Sequence, residues 1–225
     1  MSASQKSSTT PIAIVGMSCM FPQAKDLSQY WDNIVHEVDC ITDVPPSHWK
    51  IEDYYDPDPK APDKTYSKRG GFIPDIDFDP TEFGLPPNIL EITDASQLLS
   101  LVVAKDALKD AGYGDENRSF DRDRTGVILG VGGGQNLISP LASRLQEPIW
   151  RRALQNSGVA DADVDNIVHQ IKAAFVPWEE DSFPGLLGNV IAGRVASRLD
   201  LGGTLYVHVL QQNASTHPPY SCSPI

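Results

Sequence analysis

The sequence predicts an α/β fold, and three observations predict it. Pro11 opens the run Ile12-Ala13-Ile14-Val15-Gly16, apolar, β-branched and closed by glycine, the form of a strand buried on both faces. Leu27, Tyr30, Trp31, Ile34, Val35 and Val38 then recur at helical spacing behind Asp26, a capping residue, which predicts an amphipathic helix laid on a sheet. Thr125-Gly126-Val127-Ile128-Leu129-Gly130-Val131 repeats the buried-strand pattern. Strands that alternate with helices make covered sheets.

Ahead of the first strand, residues 1–10 (MSASQKSSTT) are small and polar and lack the apolar stretch of a secretory signal, so they read as a disordered lead-in. No window approaches 18 uninterrupted apolar residues, which speaks against a membrane span. A chain of 225 residues with 40% hydrophobic side chains can bury a sizeable core. Its formal charge of −12 disfavours broad attraction to nucleic acid or anionic lipid. Cys19, Cys40 and Cys222 show no paired spacing for zinc or for a disulfide scaffold, so no metal is expected and a reducing cytoplasm fits best.

From Thr42 to Pro87 the character changes. Nine of the 18 prolines fall there, among aspartates and the aromatics Trp49, Tyr54, Tyr55, Tyr66, Phe72 and Phe78. Proline interrupts both regular periodicities, while the aromatic content is too high for a free linker, so the stretch reads as an ordered surface excursion. Asp94, with Gln97 three positions on, forms a capping-box signature ahead of the stripe Leu98, Leu99, Val102, Val103, Ala107 and Leu108. That helix is expected to be buried on most of its circumference and to end at Ala111-Gly112.

The second strand runs into Gly132-Gly133-Gly134. The pattern lacks the last glycine of the dinucleotide fingerprint and lies far from the first strand, so close backbone approach is the better reading and no nucleotide cofactor is expected. Arg144–Gln155 and Asp161–Phe175 read as helices, the second with Val164, Ile167, Val168 and Ile171 on one face. His169 beside that face reads as a packed or capping histidine, and His36 and His48 are equally isolated.

Six ordered blocks carry a family resemblance: PIAIVGMSCMFPQAKDLSQYW from Pro11, VPPSHWKIEDYYDPDP from Val44, KRGGFIPDIDFDPTEFGLPP from Lys68, TDASQLLSLVVAKDALKDAGY from Thr93, TGVILGVGGG from Thr125, and SFPGLLGNVIAGRVASRLDLGGT from Ser182 to Thr204. Together they resemble the amino-terminal half of a β-ketoacyl synthase, of the subgroup found in polyunsaturated fatty acid synthases and iterative polyketide synthases. The resemblance implies a thiolase-like fold of two α/β halves, each with a mixed five-stranded sheet, of which this chain supplies an incomplete first half. It sets the expected boundaries at 1–10 for the lead-in, 11–204 for the ketosynthase region and 205–225 for a tail outside the family pattern.

The family activity is decarboxylative condensation of acyl and malonyl thioesters. A cysteine thiolate takes the acyl group, and two histidines and a lysine from the second half organise decarboxylation. Counting from Thr204, the nucleophile position falls at Gln212, which cannot form a thioester, so no catalytic residue is expected in this chain and it is expected not to condense. A glutamine-type malonyl decarboxylase is a weaker alternative, because Val209-Leu210-Gln211 and Asn213 to Pro219 do not match that group. Cys222 lies about ten residues beyond the expected place between Pro219 and Pro224, with no following segment to form an activating helix, and reads as a tail cysteine. Residues from Leu205 on are expected to reflect a shifted reading frame, a gene-structure error or a truncation.

The resemblance also implies an acyl carrier protein partner and a homodimer. Carrier proteins are acidic, and Lys64, Lys68, Arg69, Arg122, Arg124, Arg151 and Arg152 are the candidate docking cations, against the plainer reading of solvated surface charge. The alternative function is a non-catalytic half-fold that binds a partner chain. Its exposed inner face would be Leu98–Val103 and the stripe Ile191, Val195, Leu199.

Overall fold

The computed structural model describes residues 11–114, 118–132 and 136–210. The lead-in, Gly133, Gly134, Gln212 and Cys222 lie outside the described residues. The chain divides into two compact units, Met1–Asp77 with Val103–Ser119 and Phe78–Val102 with Phe120–Ile225.

In the first unit, α1 (Leu27–Val35) begins where the sequence places it. Asp26 accepts a hydrogen bond from the Gln29 amide at 2.8 Å, the N-cap geometry that satisfies an orphan helix donor. The helix is not laid on a sheet, however: none of its residues is buried, and Trp31, Ile34 and Val35 are exposed. The predicted first strand also differs. Residues 12–16 carry no ladder, and Ile12 is 96% exposed. A strand requires a neighbour to receive its amides and carbonyls, and among the described residues none flanks this run. What anchors it is Gly16, where an added Cβ would lie 2.5 Å from the Ala107 carbonyl oxygen and 2.6 Å from the Ala111 nitrogen. The Met17 amide also donates to Asp110 at 2.9 Å.

The proline-rich excursion is ordered by short elements: β1 (Ile41–Asp43), α2 (Ile51–Tyr54) and β2 (Arg69–Gly71). β1 and β2 pair antiparallel with Asp43 opposite Arg69. Aromatic contacts supply what proline removes from the backbone: His48 meets Phe72 edge-on at 4.9 Å, and Trp49 meets Tyr54 at 6.0 Å. Next comes α3 (Ala95–Asp110), whose first half belongs to the second unit and whose last turns belong to the first. It ends at Gly112, at φ +80°, a left-handed position that glycine takes without a Cβ clash. Only Gln97 and Leu101 are buried on α3, less than its apolar composition suggests.

The second unit continues with β3 (Val127–Gly132), α4 (Ile138–Arg144), α5 (Glu147–Asn156), α6 (Asp161–Ala173), α7 (Ser182–Leu186), α8 (Val190–Arg198) and β4 (Leu205–Leu210). β3 and β4 are parallel, in register from Val127↔Leu205 to Gly132↔Leu210. Parallel neighbours need a long crossover, and α4 to α8 supply it. The described strands therefore form two two-stranded sheets, not one mixed five-stranded sheet. β3 buries Val127 but leaves Ile128 79% exposed, so only one of its faces is covered.

The predicted helix Arg144–Gln155 is two helices. Arg144 ends α4, and α5 starts at Glu147 with Pro148 in its first turn, where proline's missing amide costs no hydrogen bond. α6 buries Val164 and Val168 and ends at Ala173, short of Phe175. α8 packs on β3 and β4 and buries Ile191, Ala192, Val195 and Ala196. Of the stripe expected to be an exposed inner face, Ile191 and Val195 are core within their unit, together with Leu85, Ile92, Leu101, Leu141, Val164 and Val168, while Leu199 is half-buried.

Candidate functional site

The feature that positions chemistry is the parallel pair and its entry turn. In open α/β sheets ligands gather beyond the carboxyl ends of parallel strands, here the end marked by Gly132 and Leu210. The turn Asp200-Leu201-Gly202-Gly203-Thr204 delivers β4 into register. Asp200 adopts φ +54°, the Gly202 amide donates to Arg122 O at 2.9 Å, and the Gly203 amide donates to Thr125 O at 3.0 Å. The Val127 amide then donates to Thr204 O at 3.0 Å and starts the ladder. Glycine is required by contact distance: a Cβ on Gly203 would stand 2.5 Å from the Thr125 carbonyl carbon and 2.7 Å from the Gly126 nitrogen. A Cβ on Gly126 would stand 2.5 Å from Thr204 O.

The same unit holds a buried polar hub that the sequence shows only as a cap. Asp94 Oδ1 accepts from the Ser96 amide at 3.0 Å and its hydroxyl at 2.6 Å, while Oδ2 accepts from the Leu137 amide at 3.3 Å. The capping box is half formed. Gln97 does not return to the Asp94 amide, which donates instead to Gly185 O at 2.9 Å. The Gln97 side chain is 1% exposed, and its Nε2 lies 2.9, 2.8 and 3.2 Å from the carbonyl oxygens of Pro184, Gly185 and Leu187. One carboxamide thus fixes the backbone that leads into α8. The sequence signal for it is the same Asp-x-x-Gln spacing, with a different partner from the one a capping box implies.

Burial first, and Asp26 second, raise the Cys19 thiol, the direction that favours its protonated form. The Cys40 thiol lies 3.6 Å from Val38 O. His36 Nδ1 is 2.8 Å from Asp32 O and closes α1. His169 is neither packed nor capping: it is exposed mid-helix, one residue round from the buried Val168. Among the described residues, no three His, Cys, Asp or Glu side chains gather as a metal set, and no helix is long and apolar enough to cross a membrane.

The candidate docking cations divide sharply. Lys64 donates to Asp53 O at 2.6 Å, Lys68 pairs with Asp43 at 3.0 Å, and Arg69 lies near Asp39 and Asp43. Arg122 donates to Leu199 O and stacks over Phe120 at 4.7 Å. Arg151 is held by Glu147 at 2.9 Å and by Asp165 at 2.6 Å. These five cations serve local structure first; Lys64, Arg69 and Arg122 are nonetheless exposed, as are Arg124 and Arg152.

Solved structures define the class. An oxazolomycin ketosynthase domain of Streptomyces albus JA3453 matches with TM-score 0.60 and 25% identity, over 87% of this chain and 28% of that one. The module 6 ketosynthase of the Bacillus subtilis 168 bacillaene synthase matches with TM-score 0.59 and 26% identity, over 88% and 26%. The architecture is part of the thiolase-like ketosynthase fold. The family model of the beta-ketoacyl synthase N-terminal domain matches residues 9–209, past Thr204 and nearly to the end of β4. A polyunsaturated fatty acid synthase polypeptide of Thraustochytrium sp. is 40% identical over 194 residues, 86% of this chain and 7% of that protein. Polyketide synthase PksN of Bacillus subtilis is 42% identical over 132 residues, 57% of this chain and 2% of that protein. The chain belongs to the β-ketoacyl synthase family, and it spans only a small part of the synthases it matches.

Proposed function

We propose that this chain is the amino-terminal part of a ketosynthase that works in the cytoplasm within a fatty acid or polyketide synthase, taking acyl chains from an acyl carrier protein as a homodimer. The observation that carries the reading is the family match over residues 9–209, supported by the register of β4 on β3. The family match runs to residue 209, within β4.

In such a site a thiolate attacks the acyl thioester and the carrier thiolate leaves; the acyl-cysteine is then attacked by the carbanion left when a malonyl unit loses carbon dioxide, and the cysteine thiolate is expelled as the carbon–carbon bond forms. The counted nucleophile position is Gln212, whose carboxamide is not a nucleophile at neutral pH. The chain as it stands therefore forms no acyl-enzyme. The test is incubation of the full chain with a labelled acyl thioester, followed by intact-mass and peptide mass spectrometry. No covalent adduct is expected, and a stoichiometric acyl adduct on Cys19, Cys40 or Cys222 overturns the proposal.

A second reading, a half-fold that binds a partner chain, is favoured by the apolar exposure of Ile12, Ile14, Trp31 and Val35 in one unit and Ile128 in the other.

A further inference from the structure

α8 carries two arginines one turn apart. Arg194 and Arg198 line a concavity of about 340 Å³ with Ser197, Asp181, Pro86 and Ile89. Arg194 Nε is buried and has no hydrogen-bond partner among the described residues. Arg198 donates one Nη1 bond to Gly84 O at 3.1 Å, which leaves its remaining N–H groups for another acceptor. Burial first, then the neighbouring Arg198, pull the Arg194 guanidinium below the usual arginine range, while Asp181 acts in the opposite sense.

A guanidinium keeps its proton, so the charge of a half-buried one is offset by a nearby anion rather than by deprotonation. Two arginines against one aspartate leave a single positive charge at this concavity, in a chain whose formal net charge is −12. The planar fork of arginine matches the paired oxygens of a carboxylate or a phosphate, and Ser197 adds a hydroxyl on the same wall. Pro86 and Ile89 provide apolar sides that lower the local dielectric and strengthen such a contact.

We propose that Arg194, Ser197 and Arg198 form a binding site for a small oxyanion, a carboxylate or phosphate group, held by the two guanidinium forks and the Ser197 hydroxyl.

The full chain, labelled with ¹⁵N-arginine, is titrated with sodium phosphate and separately with sodium acetate, chloride holding the ionic strength constant. One Nε–H resonance, absent from Arg194→Lys, is expected to move saturably. Arg198→Gln should weaken the affinity about tenfold, the size of a lost charge-assisted bond. Asp181→Asn should tighten it by removing the competing carboxylate. Saturation by both anions supports the shared chemistry, and saturation by one identifies the group. No saturable movement with either anion overturns the proposal, as does equal affinity in Arg198→Gln. If Arg194→Lys does not fold, Asp181→Asn still decides, because an affinity no tighter than that of the parent chain overturns the site.

Discussion

Glu147 joins two helices through charge. It accepts from Arg151 at 2.9 Å on its own helix and from Lys172 on α6 at 2.6 Å, and Arg151 reaches on to Asp165. Lys172 first and Arg151 second hold the Glu147 carboxyl below the usual carboxylate range. A carboxyl depressed in the folded state contributes stability that is fully present above its unfolded pKa of about 4.3 and is lost as pH falls through the folded value. Glu147→Gln is therefore expected to flatten the acid limb of the unfolding curve below about pH 4.3. The loss should be small, since exposed ion pairs are weak individually, and it should shrink in high salt. An acid limb identical in the two proteins would contradict the assignment. At this scale the sequence shows residue types but not partners: Arg151 reads as a docking cation because nothing in its spacing reveals that Asp165 lies across a helix pair. Gln97 is equally hidden, its carbonyl partners lying nearly ninety positions away.

Elements are legible where their signals are local. The Asp26 cap, the Gly112 stop and the Val164–Val168 stripe all depend on residues within a few turns of one another, and all three are present. The predicted strand at Ile12–Gly16 depends on a neighbour, which its own residues cannot supply, and it remains an unpaired run exposed over Ile12–Val15. The α8–β4 junction lies between these cases, because its glycines are local but their purpose is contact with Thr125 and Gly126. Two alanine substitutions separate the roles. Gly203→Ala drives a methyl into backbone that cannot rotate away, and should cost about 1–3 kcal/mol, the range for overpacking. Gly193→Ala, inside α8 with nothing within 4 Å of the added Cβ, should gain about 0.5–1 kcal/mol from helix propensity and reduced unfolded-state entropy. Urea midpoints of the two variants should move in opposite directions, and equal or reversed shifts would show that the turn is not held by the contacts described.

Across the whole chain the apolar surface is not where the sequence suggests. Ile191 and Val195 are buried inside their unit, whereas Ile12 is 96%, Ile14 82% and Trp31 63% exposed in one unit, and Ile128 is 79% exposed in the other. Family and fold class are legible because six ordered blocks specify them. The location of the uncovered surface is not, because it follows from which strands find neighbours. Buried apolar area is worth about 25 cal/mol per Å², so side chains of this size left in water are a driving force for association. The purified chain should self-associate as its concentration rises, with light scattering increasing and an environment-sensitive apolar dye becoming fluorescent. Ile34→Lys on α1 and Ile128→Lys on β3 should each lower both signals, since each places a charge on an exposed apolar position without touching a buried contact. A monodisperse monomer over the whole concentration series, with no dye uptake, would show that these surfaces are covered in solution and would remove the partner-binding reading with them.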